Sequence, residues 1–465
     1  MITMLRYLFL AVIALYLTAI LFPQLNINLI ISILCMTIVA STLFFVKRFV
    51  RVFGLIFLTL GIIMLVNSEA GVKEYIISFG PMLNLLSLFA LIPILALPIK
   101  LGHYADGIQN AIRQKVKTSG QLYMMTSGIS YFLSCFMNLA TLPMTYYSIK
   151  PSVGLFPLKN KERFMSRAVT HGFAMPLLWA PVTPIVGIVI EMTGVSWGAM
   201  LPYLIPLSVL GLCIDWIMGV VISARRPDRY NKAFAGNETA AALDTHENKG
   251  SYSKLLHILG AIFLFNVTIS FIEKQFQLSF LVLVTLLVIP FAFLWCLFLG
   301  ESKGFALGLK EHFQTHLFKM KDQFFIFLSA GFFISAVNYS KTDQLFNGWI
   351  TSIKDFIGIE IFIVILPLVP LALAFTGLHP AVGLALMAEA LDPASLNIAP
   401  EILTVSMLGG AVSALLMGPY NATIGLMANI VKDNPFKVSN WNAPFTFTYI
   451  GLLMVFLVVL QIINL

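Results

Sequence analysis

Apolar stretches of about 20 residues, the length that crosses a bilayer as a helix, follow one another along almost the whole chain and are parted by short polar connections. Uninterrupted spans are predicted near 5–22, 27–46, 52–66, 78–99, 200–223, 255–273, 278–299, 323–338 and 445–463. Two further stretches, 166–193 and 400–431, are long enough to cross but carry internal Pro and Gly, and each predicts a discontinuous helix. Two more, 121–148 and 356–391, are apolar with a polar centre and predict re-entrant hairpins. The first is flanked by basic residues on both sides and so opens to the cytoplasm; following the chain across the membrane, the second opens outside. The pattern thus predicts an all-α polytopic membrane protein of about 11 transmembrane helices plus two hairpins.

The interruptions are Asn138-Leu139-Ala140-Thr141-Leu142-Pro143, Trp179-Ala180-Pro181-Val182-Thr183-Pro184, Thr376-Gly377-Leu378-His379-Pro380 and Gly418-Pro419-Tyr420-Asn421-Ala422-Thr423. Pro lacks the N–H that closes the helical ladder and Gly weakens helix preference, so each cluster leaves backbone groups free at membrane depth. Taken singly, such a cluster is more often a kink packed against a neighbour. Here the spacing repeats: Asn138 to Thr376 is 376 − 138 = 238, and Pro181 to Pro419 is 419 − 181 = 238. Matching interruptions in two halves of a membrane chain predict a substrate site between inverted repeats. The domain reading follows: an extra helix in 1–26, a first repeat over 27–224, a cytoplasmic linker at 225–254 and a second, inverted repeat over 255–465.

Composition agrees with that class and removes others. A chain that is 59% hydrophobic and 11% charged is no soluble globule. Its net charge of +8 sits in short loops, as membrane topology requires, and leaves no nucleic-acid surface. Lys47, Arg48 and Arg51 put that loop inside, so the expectation is a multi-pass plasma (inner) membrane protein with a cytoplasmic N-terminus and the C-terminus outside. The charged start and apolar run at the N-terminus are read as a retained helix. Residues 100–117 are too polar to cross and read as an amphipathic surface helix, either an anchor or a linker between a fixed and a moving part. Similar polar pieces lie at 301–322 and 341–355. Cys35, Cys135, Cys213 and Cys296 lie in apolar runs without CxxC spacing and read as buried small hydrophobes.

Helix N-termini at the breaks suit a carboxylate, sulfate or phosphate, and freed carbonyls suit a hard cation. Candidate substrate ligands are Asn138, Thr141, Pro181, Thr183, Thr376, Gly377, His379, Pro419, Tyr420, Asn421 and Thr423. Asn138, Thr183, Thr376, Asn421 and Thr423 are candidates for the coupling ion, Na+ or H+; beyond a sodium site no metal and no cofactor is expected. With no Arg or Lys inside the four clusters, the substrate's charge would be balanced by helix dipoles and a co-transported cation. Arg163 and Arg167 read as markers of the membrane interface, with anion steering as the alternative. His379 and His171 read as neutral, hydrogen-bonded rings first and proton-coupling groups second, and Glu191 and Glu389 as interfacial residues first. No HExxH or GxSxG motif is present, so an enzyme is not expected. A carrier or exporter of a larger amphipathic or envelope-precursor molecule remains the alternative to a carrier of small anions.

The arrangement of Met137-Asn138-Leu139-Ala140-Thr141, Pro181-Val182-Thr183-Pro184, Phe375-Thr376-Gly377-Leu378-His379-Pro380 and Gly418-Pro419-Tyr420-Asn421-Ala422-Thr423 resembles the divalent anion:sodium symporter family of the ion transporter superfamily. The resemblance covers roughly 28–465 in architecture and these four clusters in motif. It implies an elevator-type homodimer that carries di- or tricarboxylates with sodium. The first hairpin lacks the Ser and first Thr of the family pattern, and Gly377 replaces the second hairpin's Asn.

Overall fold

The structure, a computed structural model, describes residues 2–102, 104, 116, 118–154, 156, 158–224, 250–276, 278–391 and 393–463. Its regular elements are helices: α1 Ile2–Leu21, α2 Asn28–Thr42, α3 Arg48–Asn67, α4 Val72–Ile77, α5 Leu83–Leu91, α6 Ala96–Leu101, α7 Ser119–Met137, α8 Thr141–Val153, α9 Lys161–Ala174, α10 Pro184–Thr193, α11 Trp197–Ala224 and α12 Gly250–Phe276. The chain continues with α13 Phe280–Phe298, α14 Ser302–Lys319, α15 Lys321–Tyr339, α16 Asp343–Ile357, α17 Ile359–Ile365, α18 Leu368–Thr376, α19 Pro380–Ala390, α20 Pro393–Leu396, α21 Pro400–Met417, α22 Ala422–Val431 and α23 Pro435–Ile462.

Among the described residues, eight helices are long and apolar enough to cross a membrane, and two bent pairs, α14 with α15 at 61° and α17 with α18 at 42°, raise the number to ten. By length and apolarity the described residues thus give eight to ten spans where about 11 are expected, with Asn28–Thr42 and Pro184–Thr193 as shorter apolar helices besides. Helix α2 has only 15 residues, and the first broken helix divides into polar α9 and a ten-residue α10. The last span starts at Pro435 rather than near 445, because Asn434 caps it by accepting from Phe436 N at 2.8 Å and Pro435 takes the first helical position. The polar run before Pro444 is therefore helical rather than a loop. Most of the amphipathic segment expected at 100–117 and residues 225–249 of the expected linker lie outside the described residues.

All four interruptions break a helix. The separation of 238 also governs whole elements: Leu83–Leu101 and α15 (321 − 83 = 339 − 101 = 238), α10 and α22 (422 − 184 = 431 − 193 = 238), and α11 and α23 (435 − 197 = 462 − 224 = 238). Gly194 and Lys432, again 238 apart, close α10 and α22 in the left-handed conformation that ends many helices.

Packing places the broken helices at the centre. In the most apolar 18-residue stretch of the span α21–α22, 94% of the residues are buried, against 22% in that of α3. Helix α3 lies along α15, and α1 and α2 pack beside them. Helices α7 and α8 pack against α9, while α18 packs against α21 and α21 against α23. The hairpin arms cross over: α19 packs on α10 and α8 on α22, so each hairpin's second arm rests on the other half's short helix.

Candidate functional site

The break between α21 and α22 is held by one side chain. Asn421 Oδ1 accepts from Ile424 N at 2.8 Å and caps α22, while Asn421 Nδ2 donates to the Ala414 and Leu415 carbonyls at 2.8 and 3.0 Å and caps α21. Asn442 Nδ2 donates to Leu416 O at 2.9 Å, and the Ser439 hydroxyl donates to Met417 O. The last four carbonyls of α21 are all engaged. Donors of the protein itself thus meet these carbonyls, and the Asn421 amide, expected as a ligand, acts here as a clamp across the break. On the other side of the break, Ala422 and Thr423 have backbone N–H groups without an acceptor among the described residues.

The hairpin tips serve different ends. Asn138 takes φ 45° at the turn from α7 to α8. In the other hairpin Gly377 takes φ 93°, where a side chain would be strained and would also run into the Phe49 ring. Phe49 stacks on Tyr420 with ring centres 5.7 Å apart, so the second hairpin tip and the second break meet on α3. Thr376 is exposed, and its hydroxyl donates back to Leu373 O at 2.7 Å. His379 caps α19, its Nδ1 accepting from Ala381 N at 3.3 Å, and its ring stands edge-on to Phe327 and Phe89.

At the first break Pro181, Thr183 and Pro184 are buried. Trp197 Nε1 donates to Trp179 O at 3.0 Å, Ser208 Oγ to Met175 O at 2.8 Å, and Trp179 Nε1 to Tyr131 Oη at 3.1 Å. Thr183 precedes α10 without capping it, its hydroxyl buried and unpartnered. Glu191, in the last turn of α10, faces the Asn84 amide at 3.4 Å on the rim of a cavity of about 580 Å³ that the 393–400 connection completes.

Where α8, α9 and α22 pack together, several buried polar atoms have no partner: the hydroxyls of Thr141 and Thr145 on α8, Ser166 Oγ and Arg167 Nε on α9, and Thr423 Oγ1 on α22. Thr141 and Thr145 are one turn apart on one face. Arg167 is only 8% exposed and makes no ion pair among the described residues. The reading of Arg167 as an interface marker is corrected, whereas Arg163, one turn earlier, is exposed. Helix α9 runs inward as a polar helix wrapped by neighbours, so a residue one turn from its exposed start is already covered. Thr141 and Thr423 belong to this cluster, and Asn421 stands beside it as the clamp of α22. Thr376 and His379 make their hydrogen bonds within their own hairpin, to Leu373 O and from Ala381 N.

A second polar cluster surrounds His171, which the sequence singles out, with partners that the sequence reading did not name. His171 Nδ1 lies 2.7 Å from Asp215 Oδ1, and Tyr123 Oη donates to the same oxygen at 2.7 Å. Ser127 Oγ donates to Asp215 Oδ2 at 2.6 Å, and His171 Nε2 faces Asn442 Oδ1 at 3.2 Å. His171, Asp215, Ser127 and Asn442 are wholly buried, with Phe445 stacked on the imidazole at 4.2 Å. The signal was available: Asp215 is the one acidic residue in the apolar run 197–224, and an ionisable side chain inside a span is a functional candidate by default. Gly172 makes the cluster possible, since a methyl group there would strike the backbone of Ser127. Gly172→Ala is expected to push α7 off α9 and lower the apparent melting temperature in detergent, as overpacking costs about 1–3 kcal/mol; an unchanged melting temperature would refute this contact.

Comparison with solved structures finds a likeness to the YdaH transporter of Alcanivorax borkumensis, at 13% identity, over 88% of this chain and 98% of that one, with a TM-score of 0.61. At that identity the likeness concerns the fold alone, an all-helical one with several helices long and apolar enough to cross a membrane. No protein-family model and no curated protein matches the chain.

Proposed function

We propose that this chain is a secondary active transporter that moves a small anion, of di- or tricarboxylate type, by cation-coupled alternating access. Arg167 carries the reading. A permanent charge buried without a partner is costly, and Arg is suited to holding a carboxylate through two parallel hydrogen bonds. The unpartnered hydroxyls of Thr141, Thr145, Ser166 and Thr423 and the free N–H groups of Ala422 and Thr423 supply further donors on the same three helices. An anion entering there would neutralise the guanidinium and satisfy the N-terminus of α22.

The recurrence of elements at 238 residues supports two repeats, 27–224 and 255–465, around that site. The crossed packing of α8 on α22 and of α19 on α10 is what a symmetric pair of units joined through their broken helices would give. The elevator motion and the homodimer are adopted from the resemblance to the divalent anion:sodium symporters; the N-terminus inside and the C-terminus outside follow from the basic loop at Lys47, Arg48 and Arg51.

Uptake of labelled succinate, citrate and sulfate into proteoliposomes, with sodium and proton gradients imposed separately, tests the proposal. Saturable accumulation of at least one anion, driven by one of the gradients, is expected. No saturable uptake of any of them, or accumulation with neither gradient, would overturn it. A second reading, an amphipathic cargo, is favoured by one observation: an apolar cavity of about 580 Å³ between α11 and α12 that reaches Trp179 at the first break and is lined by Leu201, Ile205, Ile262 and Phe263.

A further inference from the structure

We infer that the coupling ion is a proton, that the Asp215–His171 pair holds it, and that Arg167 links its binding to that of the anion. The inference rests on the anion-carrier reading and deepens it.

The hydrogen-bond network fixes how many protons the pair carries. Asn442 can be placed in one way only, because its Nδ2 donates to Leu416 O; its Oδ1 then points at His171 Nε2 and also accepts from Thr170 Oγ1 at 3.1 Å. Nε2, facing an acceptor, must carry hydrogen. Nδ1 faces Asp215 Oδ1 at 2.7 Å, which again requires a hydrogen between them. Tyr123 and Ser127 spend their own hydrogens on the carboxylate. Imidazole and carboxylate together therefore hold one proton more than a neutral His beside an ionised Asp, and the pair is neutral as a whole. Releasing that proton to water leaves neutral His171, ionised Asp215 and one net negative charge.

The titratable and charged groups facing the pair are few. Helix α7 brings Tyr123, α11 brings Asp215 itself, and α9 brings Arg167 one turn before His171. Helix α23 brings Asn442 and Phe445, neither of which titrates. Arg167 is thus the one permanent charge near the pair among the described residues, and it has two ways to be balanced. In the empty carrier the deprotonated pair balances it. In the loaded carrier the anion balances it, and the pair must keep its proton for the buried region to stay neutral. Anion and proton then bind together, each favouring the other, which is the requirement for symport. Asn442 ties the pair to the break as well, since the same amide that orders His171 holds the last turn of α21.

The experiment has two arms on the full chain. In the first, the protein is labelled with ¹⁵N-histidine and studied in nanodiscs at pH 7 with a saturating amount of whichever anion of the succinate, citrate and sulfate panel is transported, the His171 signal being the one missing from His171→Gln. The wild type is expected to show both ring nitrogens protonated or sharing a proton, and Asp215→Asn a bare ring nitrogen. In the second, whichever labelled anion of the succinate, citrate and sulfate panel is transported is followed in counterflow and under an imposed pH gradient, with an entrapped pH dye reporting protons. Asp215→Asn is expected to lose accumulation driven by the pH gradient, together with the dye response, in far larger proportion than it loses counterflow. Apparent anion affinity should rise about tenfold per unit fall in pH over the coupled range in the wild type, the slope of one linked proton, and be flat in the variant. Should Asp215→Asn not fold, His171→Gln reads the same pair and is expected to behave alike. Gradient-driven accumulation that survives in these variants, or a wild-type His171 with a bare nitrogen, overturns the inference while leaving an anion carrier in place. If the wild type moves none of the anions, the carrier reading fails and the coupling role falls with it.

Discussion

Asn421→Ala is expected to lower stability by about 2–4 kcal/mol and to abolish gradient-driven uptake. One side chain serves both ends of the break: its oxygen caps α22, and its amide engages two of the last carbonyls of α21. Losing an N-cap costs about 0.5–2 kcal/mol, and the Leu415 carbonyl, left without its donor while Ala414 O keeps the Gly418 N–H, adds about 1–3 kcal/mol. Asn421→Ser separates the two roles, since a hydroxyl can still cap α22 but cannot reach back to Ala414 and Leu415; it is expected to fall between wild type and Asn421→Ala. Apparent melting temperatures in detergent give the order. An alanine variant as stable as the wild type would show that the break holds without this clamp, and a serine variant no better than alanine would show that the cap contributes nothing.

The fold was legible where a physical requirement is local. A membrane span announces itself by length and apolarity, and a break by the residues that cannot continue a helix, so Pro181, Gly377 and Pro419 could be placed from their own chemistry. The count of spans was less so, because Asn28–Thr42 is too short and Lys161–Ala174 too polar for hydropathy to describe what neighbours bury. Site chemistry was harder still. Asn421 is a ligand candidate by type, yet whether its amide is free depends on α21 folding back to within 3 Å. Arg167 and Arg163 look alike in sequence; only the packing of α8 and α22 around α9 makes one buried and leaves the other exposed. The pairing of His171 with Asp215 joins α9 to α11 across 44 residues, and no local spacing encodes it. Hydropathy did mark Asp215 as anomalous, and that mark is the one a second reading of the sequence would follow.

Arg167→Met should separate stability from function. Methionine nearly matches the volume of the arginine stem without its charge, and the Asp215–His171 pair can keep its proton once Arg167 is gone, so that no uncompensated buried charge is left behind; the empty protein is therefore expected to melt at the wild-type temperature or above it. The transported anion, in contrast, loses the group that balances its charge. Truncating one member of a buried, hydrogen-bonded charge pair costs about 2–5 kcal/mol, so apparent affinity should fall by about 30-fold at the least. Stabilisation of the protein by the anion, measured as the rise in melting temperature on its addition, should vanish with it. Arg167→Lys keeps the charge without the planar fork and is expected to restore part of the affinity. The two measurements bear on different claims. A methionine variant that melts well below wild type would mean that Arg167 supports the fold through contacts other than those seen, whereas one that binds and transports the anion normally would remove Arg167 from the site and leave its burial without a function.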